Sequence, residues 1–190
     1  MRATRKLQNI APSRHLSPSL IIEVASFSLY FFTWKLCMSV TLGRTPRLAD
    51  PGVIGNVYAI LLAFTGLGYV LFWAAGAYLP GSMEKRTTAA AAMSLCVTGA
   101  IGMVATLRLP GFLIASCTTI LALGYIGAAV HHGFSLVSYE SEVSGRALGI
   151  GMGVASLLEY LVETLGMTPA VFMVCVILSA LAILWLDGRP

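Results

Sequence analysis

Three ionisable side chains, Lys35, Glu159 and Glu163, stand inside stretches of sequence that are otherwise apolar. A charge at the centre of a membrane helix costs about 2.5 to 3.5 kcal/mol on insertion scales, so such groups need a partner or a task. Lys35 precedes the end of the first apolar stretch, and Glu159 the end of the fifth, by nearly the same interval. Those two stretches run in the same direction, so the two groups are expected at matching depth. Glu163 follows Glu159 by one helical turn, which separates the two by about 40° around the axis and lets both look into one space. The chemistry on offer is an intramembrane ion pair between Lys35 and Glu159, with Glu163 nearer the mouth and able to bind a cationic or protonated ligand. The alternative is that Lys35 snorkels outward and Glu163 simply reaches the interface.

Other polar residues carry less. Glu23 opens the first stretch, where a negative charge suits the positive end of the helix dipole, and a pair with Arg146 at similar depth on the fifth helix is the second possibility. His131 and His132 end the fourth stretch; adjacent residues point about 100° apart on a helix and cannot chelate one ion together, so no metal site is expected. Cys37, Cys96, Cys117 and Cys175 are scattered over four stretches without ligand spacing and read as small packing residues. No nucleophile stands with a base and no cofactor fingerprint is present, so neither catalysis nor a cofactor is expected.

The elements that must position these groups follow from composition. Hydrophobic residues are 57% of the 190, charged residues 11%, and mean hydropathy is +0.85, a surplus that must face lipid. A hydrocarbon layer of about 30 Å takes roughly 20 helical residues. Apolar runs at 20–42, 53–79, 87–107, 111–131, 146–165 and 169–186 meet that length and lack the two-residue alternation of a barrel strand, so an all-α, six-helix integral membrane bundle is predicted. Residues 1–19 read as a basic arm, 188–190 as a tail, and the first helix as uncleaved because its apolar run exceeds a signal core of roughly 7 to 15 residues. Breaks fall at Gly43-Arg44-Thr45-Pro46-Arg47, Pro80-Gly81-Ser82, Pro110-Gly111 and Thr168-Pro169. The third and fourth helices, joined near Arg108, must be antiparallel neighbours.

Basic residues orient the bundle. With the amino terminus inside, the inner segments hold Arg2, Arg5, Lys6, Arg14, Lys85, Arg86, Arg146 and Arg189, against Arg44, Arg47 and Arg108 outside. Both termini are therefore expected in the cytoplasm, with the bundle in the cell membrane. The net charge of +4 is accounted for by this bias and by anionic lipid, without nucleic acid. On the fifth helix Gly145, Gly149 and Gly153 form a small-residue stripe that lets another backbone approach. At 100° per residue that stripe lies on a different face from Glu159 and Glu163, so one face is expected to pack and another to line a cavity. Tyr30, Trp34, Trp73, Tyr78 and Trp185 read as core or interfacial aromatics.

Six helices with cytoplasmic ends, a short basic loop after the second and a longer one after the fourth resemble the N-terminal half of a major facilitator superfamily transporter. The loop from Tyr78 to Arg86 keeps Leu79 and the basic pair Lys85-Arg86 without the family's acidic residue, and Leu123-Gly124-Tyr125-Ile126-Gly127 is glycine-rich without the arginine that precedes it there. The fifth helix also lacks the Gly-Pro pair of the antiporters. The resemblance implies a half with 3+3 helix repeats that moves a small solute once a second six-helix half, from another copy or another chain, completes it. The run from Gly124 to Glu163, with Gly127-Ala128-Ala129-Val130, Gly145-Arg146 and Leu157-Leu158-Glu159-Tyr160-Leu161, is more similar to the membrane regions that precede LuxR-type helix-turn-helix regulators. That likeness implies a sensory or structural module, or a truncated remnant. These residues include no helix-turn-helix, so nucleic-acid binding by this chain alone is not expected.

Overall fold

A computed structural model describes residues 18–79, 86–137 and 141–187. Among them the chain is all-helical: α1 (Pro18–Leu48), a 3-10 turn (Pro51–Val53), α2 (Ile54–Tyr78), α3 (Arg86–Ala105), α4 (Leu109–Val137), α5 (Ser141–Leu165) and α6 (Pro169–Asp187). All six α-helices are long and apolar enough to cross a membrane. The basic residues of the arm, Lys85 and Arg189 lie outside the described residues, as does most of the loop from Tyr78 to Arg86.

Hydroxyl groups inside these helices are satisfied locally. Ser28 donates to the carbonyl of Val24, Thr33 to Leu29, Thr41 to Cys37, Ser116 to Phe112 and Thr119 to Ala115, each bond closing on the preceding turn. Thr41 also reaches the Ser116 hydroxyl at 3.3 Å, linking α1 to α4. No buried side-chain nitrogen or oxygen among the described residues lacks a partner, as a bundle without water to fall back on requires.

α1 and α4 form the centre. α4 packs on α1, α2 and α3, α1 packs on α4, α5 and α6, and α3 meets α6. The core runs along α1 and α4 through Leu36, Cys37, Phe112, Ile120 and Leu123, all nearly or wholly inaccessible. α2 crosses α4 backbone to backbone at Gly68 and Gly124: a Cβ on Gly68 would meet the Leu121 carbonyl and stand 2.6 Å from the Tyr125 nitrogen.

Two helices outrun the expected breaks. α1 continues past Leu42 through Pro46 to Leu48. Its extra turns bury Thr45, whose hydroxyl donates to Thr41 at 2.7 Å. They also aim Arg44 at the carbonyls that end α3: the guanidinium donates to Met103, and to Thr106 at 3.2 Å, while lying 5.0 Å from the centre of the Phe112 ring. Those carbonyls have no helical partner of their own, so Arg44 offsets the local cost of Gly43 and Pro46. α4 likewise runs past His131 to Val137. The link from α5 to α6 follows the expected punctuation: Gly166 turns the chain at φ 95, and Thr168 caps α6 by accepting from Val171 N–H at 3.2 Å. Pro169 takes the first helical position.

Candidate functional site

α1 and α5 lie side by side and parallel. Gly151 of α5 sits under Phe27 and Ser28 of α1, the next turns bring Ser156 and Glu159 to Lys35, and the last brings Glu163 to Ser39. Equal steps along both helices keep the seam in register.

Lys35 Nζ pairs with the Glu159 carboxylate and donates to Ser156 Oγ at 3.1 Å. Ser39 Oγ donates to Glu163 Oε1 at 3.0 Å. The side chains of Lys35 and Glu159 are 26% and 16% accessible, so the pair sits at the edge of this bundle and is not sealed within it. On the position of α1 just before Lys35, Trp34 Nε1 donates to Thr65 Oγ1 at 3.2 Å and ties the seam to α2. The seam can hold a charged or hydrogen-bonding ligand: two carboxylates, one ammonium and two hydroxyls share one strip of an otherwise apolar surface.

The face of α5 that packs is different from the one expected. Gly145, Gly149 and Gly153 are exposed, and a Cβ on any of them would find nothing within 4 Å. Contact with α1 runs instead through Ala147, Gly151 and Ala155, all buried. Those residues continue at the same four-residue spacing into Glu159 and Glu163, so packing and charge share one face rather than occupying two. The reason is volume: Phe27 needs the space above Gly151, and that fixes the rotation of α5. A second small-residue series at 147, 151 and 155 was present in the sequence, and its four-residue continuation into two carboxylates is the signal that distinguishes it.

No family model, curated protein or solved structure matches this chain.

The remaining polar residues fall elsewhere. His131 does not end its helix; it lies among rings from α1 and α2, with centroids 5.2 Å from Phe27, 6.3 Å from Tyr30 and 5.9 Å from Tyr69. Its placement follows from Gly127 one turn earlier, where the Tyr30 ring occupies the space a Cβ would take. His132 faces Phe72 at 6.1 Å. Glu23 turns toward α4, where a Cβ on Gly133 would stand 3.0 Å from its carboxylate, and Arg146 is exposed on α5. Cys37 and Cys96 are buried in the core, while Cys117 and Cys175 are partly covered. Trp73, Tyr78 and Trp185 are exposed, as residues facing lipid or an interface would be. Among the described residues no three His, Cys, Asp or Glu side chains converge as a metal site would require.

Proposed function

We propose that this chain is one six-helix half of a transporter-like assembly in the cell membrane, with both ends cytoplasmic, and that the α1/α5 seam lines the route of a small solute. The observation that carries the proposal is the Lys35–Glu159 pair, flanked by Ser156 and by Ser39 with Glu163, on a strip that the bundle leaves partly open. Charges held at membrane depth and facing a neighbour or a cavity mark solute and ion routes. Facing lipid, the same strip would cost more than the pairing returns, so the proposal includes a second half, from another copy or another chain, that covers it.

The arrangement of helices supports the 3+3 reading. α1, α2 and α3 have 31, 25 and 20 residues; α4, α5 and α6 have 29, 25 and 19. Exchanging the two triplets maps α2 on α4 to α5 on α1, maps α3 on α4 to α6 on α1, and returns α1 on α4 and α3 on α6 to themselves, while the lighter contact of α1 with α2 has no α4–α5 counterpart of like extent. Three membrane crossings separate α1 from α4, so the triplets enter from opposite sides, as inverted repeats do.

Counterflow in proteoliposomes tests the proposal with a radiolabelled panel of compact amines, amino acids, sugars and carboxylates. At least one solute is expected to exchange, and Glu159→Gln is expected to abolish that exchange while the protein remains folded. Binding of a panel member without exchange would instead support a sensory module. Exchange unchanged by Glu159→Gln would remove the seam from the route.

A further inference from the structure

The α1/α5 seam has an aromatic neighbour on α1. Phe27, Phe31 and Trp34 stand in an offset row, with ring centroids 6.0 and 5.8 Å apart and planes within 6° and 11° of parallel, an arrangement that ring quadrupoles favour. Phe27 is buried, whereas Phe31 and Trp34 are partly open. At about 100° per residue, Lys35 is turned about 40° to one side of Phe31 and Trp34 about 60° to the other. Lys35 meets α5 through Ser156 and Glu159, and Trp34 meets α2 through Thr65. α2 and α5 share no extended contact among the described residues. Phe31 therefore floors a furrow between α2 and α5, with the ion pair at one edge and the indole at the other.

The pair limits what the furrow can take. Lys35 and Glu159 already satisfy each other, so a solute that engages either must replace the partner it displaces. A cation on Glu159 would strand the lysine ammonium, and an anion on Lys35 would strand the carboxylate, each leaving an uncompensated charge in apolar surroundings. A zwitterion with both charges on one carbon strands neither: its carboxylate takes Lys35 and its ammonium takes Glu159. Glu163 keeps its own partner in Ser39. The rings supply the rest of the selection. Thr65 holds the indole N–H, which leaves Phe31 and Trp34 to present apolar ring surface to a planar side chain. We propose, resting on the α1/α5 seam as the solute route, that the seam takes an aromatic α-amino acid, with its charged groups between Lys35 and Glu159 and its ring against Phe31 and Trp34.

Radiolabelled L-phenylalanine with unlabelled competitors tests this on the full chain in lipid nanodiscs. L-Phenylalanine is expected to bind. Phenethylamine, 3-phenylpropionate and L-alanine, which lack in turn the carboxylate, the ammonium and the ring, are expected to compete at least about tenfold more weakly. This series uses the unaltered chain, so misfolding of a variant does not affect it. Lys35→Met and Glu159→Gln are each expected to weaken L-phenylalanine by about tenfold or more, and Phe31→Ala to weaken it by about tenfold while leaving the weaker L-alanine unchanged. Phenethylamine or 3-phenylpropionate competing as well as L-phenylalanine would show a seam that reads one charge, and would overturn the proposal. Equal competition by L-alanine would remove the rings from the site and overturn it too, as would no binding of L-phenylalanine at about 10 mM. Counterflow reads the route separately. Another solute whose exchange needs Glu159 would keep the route and overturn the solute class alone, whereas L-phenylalanine bound without exchange would keep the ligand class and overturn the route.

Discussion

Glu159→Ala is expected to destabilise the folded bundle by about 2 to 3 kcal/mol, measured as a shift in an SDS unfolding titration from mixed micelles. The loss does not come from a strong attraction. Removing one member of a buried pair strands the other charge, and such changes cost about 3 to 5 kcal/mol in full burial; the partial exposure of Lys35 and Glu159 lowers the figure. Ser156 remains a partner for the stranded ammonium, which one hydroxyl cannot neutralise. Lys35→Met combined with Glu159→Met leaves no stranded charge and is expected to recover most of the loss, as is the exchange of Lys35→Glu with Glu159→Lys. The coupling energy from the cycle of Lys35→Met, Glu159→Met and their combination is expected at about 1 to 3 kcal/mol. A coupling below about 0.5 kcal/mol, within the range for independent sites, would mean that the two side chains act separately.

Among the described glycines, those at the crossing of α2 over α4 are expected to show the largest effect of a single added methyl group. Gly68→Ala places a Cβ against the Leu121 carbonyl, 2.6 Å from the Tyr125 nitrogen and 2.7 Å from the Gly124 Cα. All three contacts are backbone and cannot rotate away, so the helices must separate and the packing between them must loosen. The expected cost is about 3 kcal/mol, at the upper end of overpacking effects. Gly66→Ala supplies the control on the same helix: Gly66 is exposed, and a Cβ there has nothing within 4 Å. Its expected effect is neutral to a gain of up to about 1 kcal/mol from helix propensity. Equal effects at the two positions, read in the same SDS titration, would show that α2 and α4 do not cross this closely.

The six helices were legible in the sequence because length and apolar continuity determine them and lipid leaves the backbone little choice. The ends of α1 and α4 were not. Gly43 and Pro46 resemble a break until Arg44 is seen to reach the end of α3, and that contact joins residues far apart in the chain. The rotation of α5 within the bundle was hidden for a related reason. Two small-residue series, 145/149/153 and 147/151/155, are equally regular along the helix; the second differs only in continuing into Glu159 and Glu163, and it is the one whose Gly151 makes room for the Phe27 ring of α1. Lys35 and Glu159 could be placed at one depth by counting alone. The hydroxyls of Ser156 and Ser39 that complete the seam could not, because serine in a membrane helix more often bonds its own preceding turn. His131 was hidden by its neighbour: the pair suggested a helix end, whereas Gly127 and the rings of Tyr30 and Tyr69 hold it within the bundle.

Solvent access to the α1/α5 seam in an intact membrane tests the central claim most directly, and it needs no knowledge of the solute. With Cys37, Cys96, Cys117 and Cys175 replaced by alanine, single cysteines are introduced by Ser156→Cys and Ser39→Cys on the seam and by Leu157→Cys and Leu161→Cys on the exposed apolar face of α5. If the seam lines an aqueous route, a membrane-impermeant thiol reagent will label the first two and spare the second two. Seam positions as unreactive as Leu157→Cys and Leu161→Cys would place the Lys35–Glu159 pair against lipid or sealed protein, and the proposed route would be wrong.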